Sequence, residues 1–186
     1  CYQAFEREPV ILPNARVRLA PGSAVLNRAT GARTLLLDVK DIAPSGASPG
    51  LELPQNWVSE RTEHGFAVTA PTDVTPGHYT IKALVDGRPA QTLHPIHHDH
   101  IRATANTHPA KASIGVFDVA LGTGKVGYIG AGNDRVGHWL AAMGVDVETL
   151  TEAEFSNETA LAAYDAIVIG IFAMRFRQGL AEVMPL

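Results

Sequence analysis

The sequence has little cysteine, little charge and no long apolar run. Its one cysteine, Cys1, opens a chain of 186 residues, so an intrachain disulfide or a zinc site built from cysteines is excluded. Charged residues make up 18%, with 15 basic against 19 acidic, which argues against a surface that binds nucleic acid. No apolar stretch approaches the roughly 20 residues of a membrane span. The sequence therefore predicts no nucleic-acid partner and no membrane span, and it leaves the compartment undetermined.

Proline is scarce in the last third of the chain. Of the 12 prolines, 11 lie at or before Pro109, and the other is Pro185. Because proline breaks helices and removes a sheet donor, the first part is expected to consist of short strands joined by turns. The candidate strands are Arg16–Leu19, Ala24–Asn27, Thr34–Lys40, Gly50–Leu53, Phe66–Ala70, Tyr79–Asp86, Gln91–Ile96 and Ile114–Leu121. Their spacing predicts an antiparallel immunoglobulin-like β-sandwich, with its connector, over residues 1–122.

After residue 122 the pattern changes to that of an α/β unit. Lys125–Gly130 is a short apolar strand, Asn133–Met143 has apolar residues at helical spacing, and Asp165–Gly170 is typical of a buried parallel strand. Residues 123–186 are therefore expected to form part of a doubly wound parallel sheet. The unit is short, and Cys1 stands where a start methionine would be, so the natural protein is expected to extend beyond both ends of this sequence.

Histidine is concentrated in one segment, where His94–His108 contains five of the eight histidines. Imidazole and carboxylate are ligands for zinc or iron, which makes His97, His98, Asp99 and His100 candidate metal ligands. On an extended strand, however, at most two or three of them converge, and the spacing is neither that of a zinc finger nor that of a helical histidine pair. A polar strand and connector at a sheet edge explains the segment without a metal.

A glycine-rich turn joins the first strand and helix of the α/β part. Gly130, Gly132 and Asn133 are candidate ligands for a phosphate, because such turns expose backbone N–H groups and a helix N-terminus. The dinucleotide fingerprint requires a third glycine where this chain has Arg135. Asn133 or Asp134 capping the helix, with glycines that allow close packing, is the alternative.

No catalytic constellation is visible in the chain. The turn after Ile169-Gly170-Ile171 is where an α/β hydrolase or amidotransferase would present its nucleophile, but Phe172 and Ala173 follow, with neither serine nor cysteine. A triad of nucleophile, histidine and acid cannot be assembled, and no catalytic residue is assigned.

Both parts of the chain resemble known modules. The segments Ala20–Leu26, Leu51–Trp57, Phe66–Pro71 and Pro76–Tyr79 resemble the immunoglobulin-like domain first described with alpha-galactosidases and sugar-binding modules. The segments Gly127–Val136 and Ile169–Ala173 resemble the C-terminal region of large bacterial PIG-L (LmbE-like) deacetylases, in which that sandwich precedes a glutamine-amidotransferase-like domain.

This resemblance implies an accessory region of a zinc-dependent N-deacetylase that acts on amino-sugar conjugates. The family carries an Ala-His-Pro-Asp-Asp-type motif, which is absent here, and a His-x-Asp-His motif, which His97, Asp99 and His100 copy in a different context. Zinc is accordingly expected in a catalytic domain outside this sequence. The implied partners are that catalytic domain and a glycan. The alternative is a metal-dependent hydrolase that uses the His94–His108 cluster.

Overall fold

The computed structural model describes residues 12–183, so Cys1 lies outside the described residues. The described chain is rich in strands and then becomes α/β, as the sequence predicts. It divides into two compact units: the first holds the residues up to Ala24 together with Arg33–Val116, and the second holds Val25–Ala32 and the chain from Phe117 onward. No helix in residues 12–183 has the length and apolar character needed to cross a bilayer.

Within the described residues up to 117, eleven strands form two sheets. They are β1 (Arg16–Ala20), β2 (Ser23–Asn27), β3 (Thr34–Ala43), β4 (Pro49–Glu52), β5 (Val58–Arg61), β6 (Gly65–Thr69), β7 (Gly77–Val85), β8 (Arg88–Pro89), β9 (Gln91–His98), β10 (Ile101–Pro109) and β11 (Lys111–Phe117). One sheet has the order β10-β9-β1-β3-β6-β5, and the other has the order β2-β11-β7-β4 with β8 beside β7. The pairs β1–β3, β3–β6, β5–β6, β9–β10, β4–β7, β7–β8 and β7–β11 are antiparallel, and β1 and β9 are parallel.

Alternate side chains of both sheets build the core of this unit. Buried residues recur with the two-residue period of a strand that has one covered face, as Ile81, Ala83 and Val85 do in β7. The chain crosses between the sheets at Ala90 and Ala110, both buried. Their backbones are linked, because Ala110 N–H donates to the Ala90 carbonyl at 2.9 Å and Ala90 N–H donates to Ala83 at 3.1 Å. The expected strands are present, and the structure adds β5, β8 and β10, which the sequence patterns missed.

The second unit is built on a parallel sheet of three short strands. Its strands are β12 (Val126–Ile129), β13 (Val147–Thr149) and β14 (Ala166–Ile169), in the order β13-β12-β14. Its helices are α1 (Val136–Met143), α2 (Glu152–Phe155), α3 (Glu158–Leu161), α4 (Ala173–Phe176) and α5 (Leu180–Val183). Its hydrophobic core cluster consists of the buried residues Ile129, Leu150, Phe155, Ala173 and Leu180.

Segment 25–32 is attached to this second unit by the amide of Asn27, which is 2% exposed. The amide nitrogen donates to the carbonyl of Val119 at 2.9 Å and to that of Met143 at 3.0 Å, and its oxygen accepts from Val119 N–H at 3.0 Å. One side chain thereby satisfies backbone groups at the end of α1 and in the segment before β12. Gly144 then ends α1 with φ of 97°, as its position in the sequence predicts.

Candidate functional site

The histidine-rich segment forms a β-hairpin at the edge of the six-stranded sheet. Strands β9 and β10 pair antiparallel over seven positions, with Asp99 and His100 in the turn between them. Every residue from His94 to His100 is exposed. Because adjacent residues of a strand point to opposite faces, neither face of the hairpin is covered there.

The imidazole rings of the hairpin come together in pairs. The ring centroids of His94 and His108 lie 5.5 Å apart, and those of His98 and His100 lie 6.0 Å apart. Within the part of the chain that the structure describes, no three His, Cys, Asp or Glu side chains are grouped to hold a metal ion. The candidates His97, His98, Asp99 and His100 are thus neighbours on an exposed turn and not a ligand set that converges on one point.

The glycine-rich turn of the second unit is filled by the chain's own side chains. The Tyr128 hydroxyl, at the end of β12, donates a short hydrogen bond to the carboxylate of Asp134. The same carboxylate accepts from Val136 N–H at 2.9 Å and from Ile171 N–H at 2.6 Å. A carboxylate of the protein therefore takes donors at the N-terminus of α1 and after β14, which are the groups that a bound phosphate would use.

Three glycines around the Tyr128 ring explain most of the glycine pattern. A Cβ on Gly137 would come within 2.5 Å of Tyr128 Cδ1, and one on Gly130 would lie 2.6 Å from the hydroxyl oxygen. A Cβ on Gly170 would lie 2.8 Å from that oxygen and 2.6 Å from Asp134 Oδ2. Gly132 differs, since its φ of 79° is in the left-handed region and nothing lies within 4 Å of its Cβ position. Of the candidate phosphate ligands, Gly130 makes room for the tyrosine and Gly132 provides the turn.

The environment of this pair shifts both pKa values in opposite directions. Burial of the phenol, together with its bond to Asp134, raises the pKa of Tyr128 to about 12. The hydrogen bond from Tyr128 and the one from Val136 N–H lower the pKa of Asp134. At neutral pH the pair is therefore a neutral phenol that donates to a carboxylate.

A separate cluster of polar groups lies at the edge of the three-stranded sheet of the second unit. Glu148 accepts from Lys125 Nζ at 2.7 Å and from the Tyr164 hydroxyl at 2.9 Å. These bonds lower the pKa of Glu148, and the hydrogen bond that Lys125 donates to the Glu148 carboxylate raises the pKa of Lys125. All three side chains reach solvent, so the cluster is a surface ion pair with a tyrosine beside it.

The turn after β14, here called the elbow, is a strand-to-helix turn with a left-handed residue at its centre. Phe172 stands between the strand and α4 with φ of 60° and ψ of 8°, a left-handed conformation that a bulky residue rarely adopts. Its side chain is 57% exposed. The turn predicted from sequence thus exists and presents residue 172 to solvent, but residue 172 is a phenylalanine. The absence of a nucleophile at this turn was predicted from the sequence. The left-handed backbone was not predicted, because residue 172 is neither glycine nor asparagine.

Apolar side chains surround this elbow on the surface of the second unit. Ile171, Met174 and Phe176 are about half exposed, and the rings of Phe172 and Phe176 meet edge to face at 6.2 Å between centroids. The guanidinium of Arg175 lies over the Phe176 ring at 5.5 Å. Exposed apolar clusters of this kind are suited to contact with another protein surface and not to acid–base chemistry.

Comparison with protein-family models, with curated proteins and with solved structures finds no match to this chain.

Proposed function

We propose that this chain is a non-catalytic accessory region of a PIG-L-like, zinc-dependent N-deacetylase of amino-sugar conjugates. The observation that carries the proposal is the elbow at Phe172. The backbone there has the shape that presents a nucleophile, but the side chain has no atom that could attack a carbonyl or accept a proton. The other candidate site, the glycine-rich turn, is occupied by the hydrogen bond between Tyr128 and Asp134.

The architecture of each unit supports the resemblance that the sequence suggests. The first unit contains two sheets, which is consistent with an immunoglobulin-like sandwich. In the second unit the strand order β13-β12-β14 is order 2-1-3, which is how a flavodoxin-like or amidotransferase-like sheet begins. In such sheets ligands bind beyond the carboxyl ends of β12 and β14. This is where Tyr128, Asp134 and Phe172 lie.

A glycan is the second partner in the proposal, and a small cleft beside Trp57 supports it. The cleft has a volume of about 210 Å³, and its lining includes Trp57 and Tyr79, whose ring centroids are 5.3 Å apart. The side chains of Gln55, Asn56 and Asp73 reach solvent at its rim. Amide and carboxylate groups bind sugar hydroxyls, and aromatic rings bind the apolar face of a pyranose ring.

An activity assay of the chain alone tests the non-catalytic role. The chain is incubated with zinc and N-acetylated amino-sugar conjugates, and the release of free amine is measured. We expect no release above that of buffer with zinc. Turnover that disappears in a variant with His98→Asn and His100→Asn would overturn the proposal and support the metal-dependent hydrolase instead.

A fusion tests the accessory role. When the chain follows a PIG-L-like catalytic domain, we expect a lower KM on a polymeric amino-sugar substrate and an unchanged kcat on a monosaccharide substrate. The matched control is the same fusion with Gln55→Ala and Asp73→Ala, which alter the cleft rim and leave both cores intact. Equal KM values with and without the chain would contradict the proposal.

A further inference from the structure

Among the residues that the structure describes, β10 lies at the edge of its sheet and is unusually long. It has nine residues, whereas the other strands at sheet edges in the described part of the chain, β2, β4, β5, β13 and β14, have five or fewer. An edge strand presents unpaired N–H and C=O groups along one side, and proteins normally keep such edges short or charged. The length of β10 therefore requires an explanation.

The hairpin that carries β10 also lacks support from the rest of its unit. The paired register between β9 and β1 consists of a single position, Arg16 with Gln91. Beyond it, Thr92 is tied to β1 by its hydroxyl, which donates to the Val17 carbonyl at 2.8 Å. From His94 onward both faces of β9 are exposed. An isolated two-stranded ribbon is marginally stable in water, so this hairpin gains stability if a third strand joins it.

The opposite edge of the same sheet shows how this protein protects an edge. Strand β5 has four residues, and two of them, Glu60 and Arg61, are charged and exposed. Strand β10 has no charged residue from Thr104 to Pro109, and its proline stands at the last position. The segment Thr104–Pro109 of β10 therefore lacks the charges that protect β5, and Arg102, the one Arg, Lys, Asp or Glu residue of β10, precedes that segment.

We propose that β10 pairs antiparallel with the β10 of a second copy of this chain, with the two-fold axis at Ala105. A two-fold interface needs a surface that is complementary to itself, and this register places Thr104 of each copy opposite Asn106 of the other. Both side chains are exposed, uncharged and able to hydrogen-bond. The partner that this edge fits is a strand of the same sequence.

Charge placed on the edge tests the interface. Analytical ultracentrifugation of the chain over about a hundredfold range of concentration should show a monomer–dimer equilibrium, as mass action requires. The variant Thr104→Lys/Asn106→Lys puts like charges opposite each other and should be monomeric, as should Thr104→Glu/Asn106→Glu. An equimolar mixture of the two variants should restore the dimer. The matched control, Ser59→Lys on β5, should behave like the unmodified chain.

A cysteine at the axis tests the register. In the Cys1→Ser background, Ala105→Cys should form a dimer linked by a disulfide on mild oxidation. Residues directly opposite in an antiparallel pair have Cα atoms roughly 4.5–5.5 Å apart, which is within disulfide range. A chain that remains monomeric at every concentration overturns the proposal. So does a dimer that persists in both charged double variants, because it would use another surface.

Discussion

Replacing Gly137 with alanine tests the central finding about the second unit, that glycines make room for the Tyr128 ring. Alanine is the better helix former, so Gly137→Ala should stabilise α1 by about 1 kcal/mol if nothing opposed it. The new Cβ would, however, lie 2.5, 2.9 and 3.0 Å from three atoms of the ring. The ring cannot move away, because Gly130 and Gly170 bring the backbone against its other end.

The two effects have opposite signs, and their sizes decide the result. Overpacking a core that cannot adjust costs about 1–3 kcal/mol, and the confinement of this ring favours the upper value. The expected net effect of Gly137→Ala is thus a loss of about 2 kcal/mol in the free energy of unfolding. In a Tyr128→Val background the clash is removed, and the same substitution should be neutral or stabilising by up to about 1 kcal/mol.

Urea unfolding followed by tryptophan fluorescence measures this effect where it occurs. The chain has two tryptophans, Trp57 in the first unit and Trp139 in α1. In a Trp57→Phe background the signal reports on the second unit alone. Gly122→Ala is the matched control, because nothing lies within 4 Å of its Cβ position and it should change little. If Gly137→Ala equals or exceeds the parent in stability, the ring does not confine the helix and the reasoning is wrong.

The second unit should also weaken in alkali: the pKa of Tyr128 is raised to about 12 in the folded chain and is about 10 when unfolded, so its stabilising contribution is complete below about pH 10 and is lost towards pH 12. Ultraviolet titration of phenolate should show this late tyrosine, and Tyr128→Phe should lack it. Asn27→Ala should lower the free energy of unfolding by about 2–4 kcal/mol, because buried backbone partners lose their hydrogen bonds. Asn27→Asp should cost more in the same urea assay, since it turns a carboxylate towards two carbonyls; an equal cost would show that water enters the site. Phe172→Gly should raise that free energy by about 0.5–1 kcal/mol, because glycine accepts a φ of 60° without strain, and a large fall would show instead that the ring packs.

Local patterns predicted the order of strands and helices well. The strand of period two at Tyr79–Val85 and the helix that ends before Gly144 follow from residue spacing alone. Strand β10 was missed because its alternation is of threonine, asparagine and histidine with alanine, a pattern with no apolar face to mark it. Its formation depends on pairing with β9, which is a tertiary contact.

The contents of the candidate site could not be predicted from spacing. Asp134 was foreseen as a possible helix cap, and it does accept from Val136 N–H. Its other partners, the Tyr128 hydroxyl in β12 and Ile171 N–H in the turn after β14, are distant in sequence from each other, and no local rule joins them. The attachment of segment 25–32 to the second unit is even harder to predict from local patterns, because Asn27 and Met143 are 116 residues apart in sequence.

The two turns beyond the carboxyl ends of β12 and β14 lead to one conclusion about function. An α/β unit of this order binds or reacts at those turns, because their N–H groups and helix ends face a ligand there. Here Asp134 accepts from the Tyr128 hydroxyl, from Val136 N–H after the first turn and from Ile171 N–H in the second, and the second turn carries the phenyl ring of Phe172. A phosphate that used these N–H groups would have to displace the Asp134 carboxylate. The described surface also presents the edge of β10, the rim of the Trp57 cleft and the apolar side chains beside Phe172. The proposed accessory role would use such places, and substitutions there should change binding while leaving the fold intact.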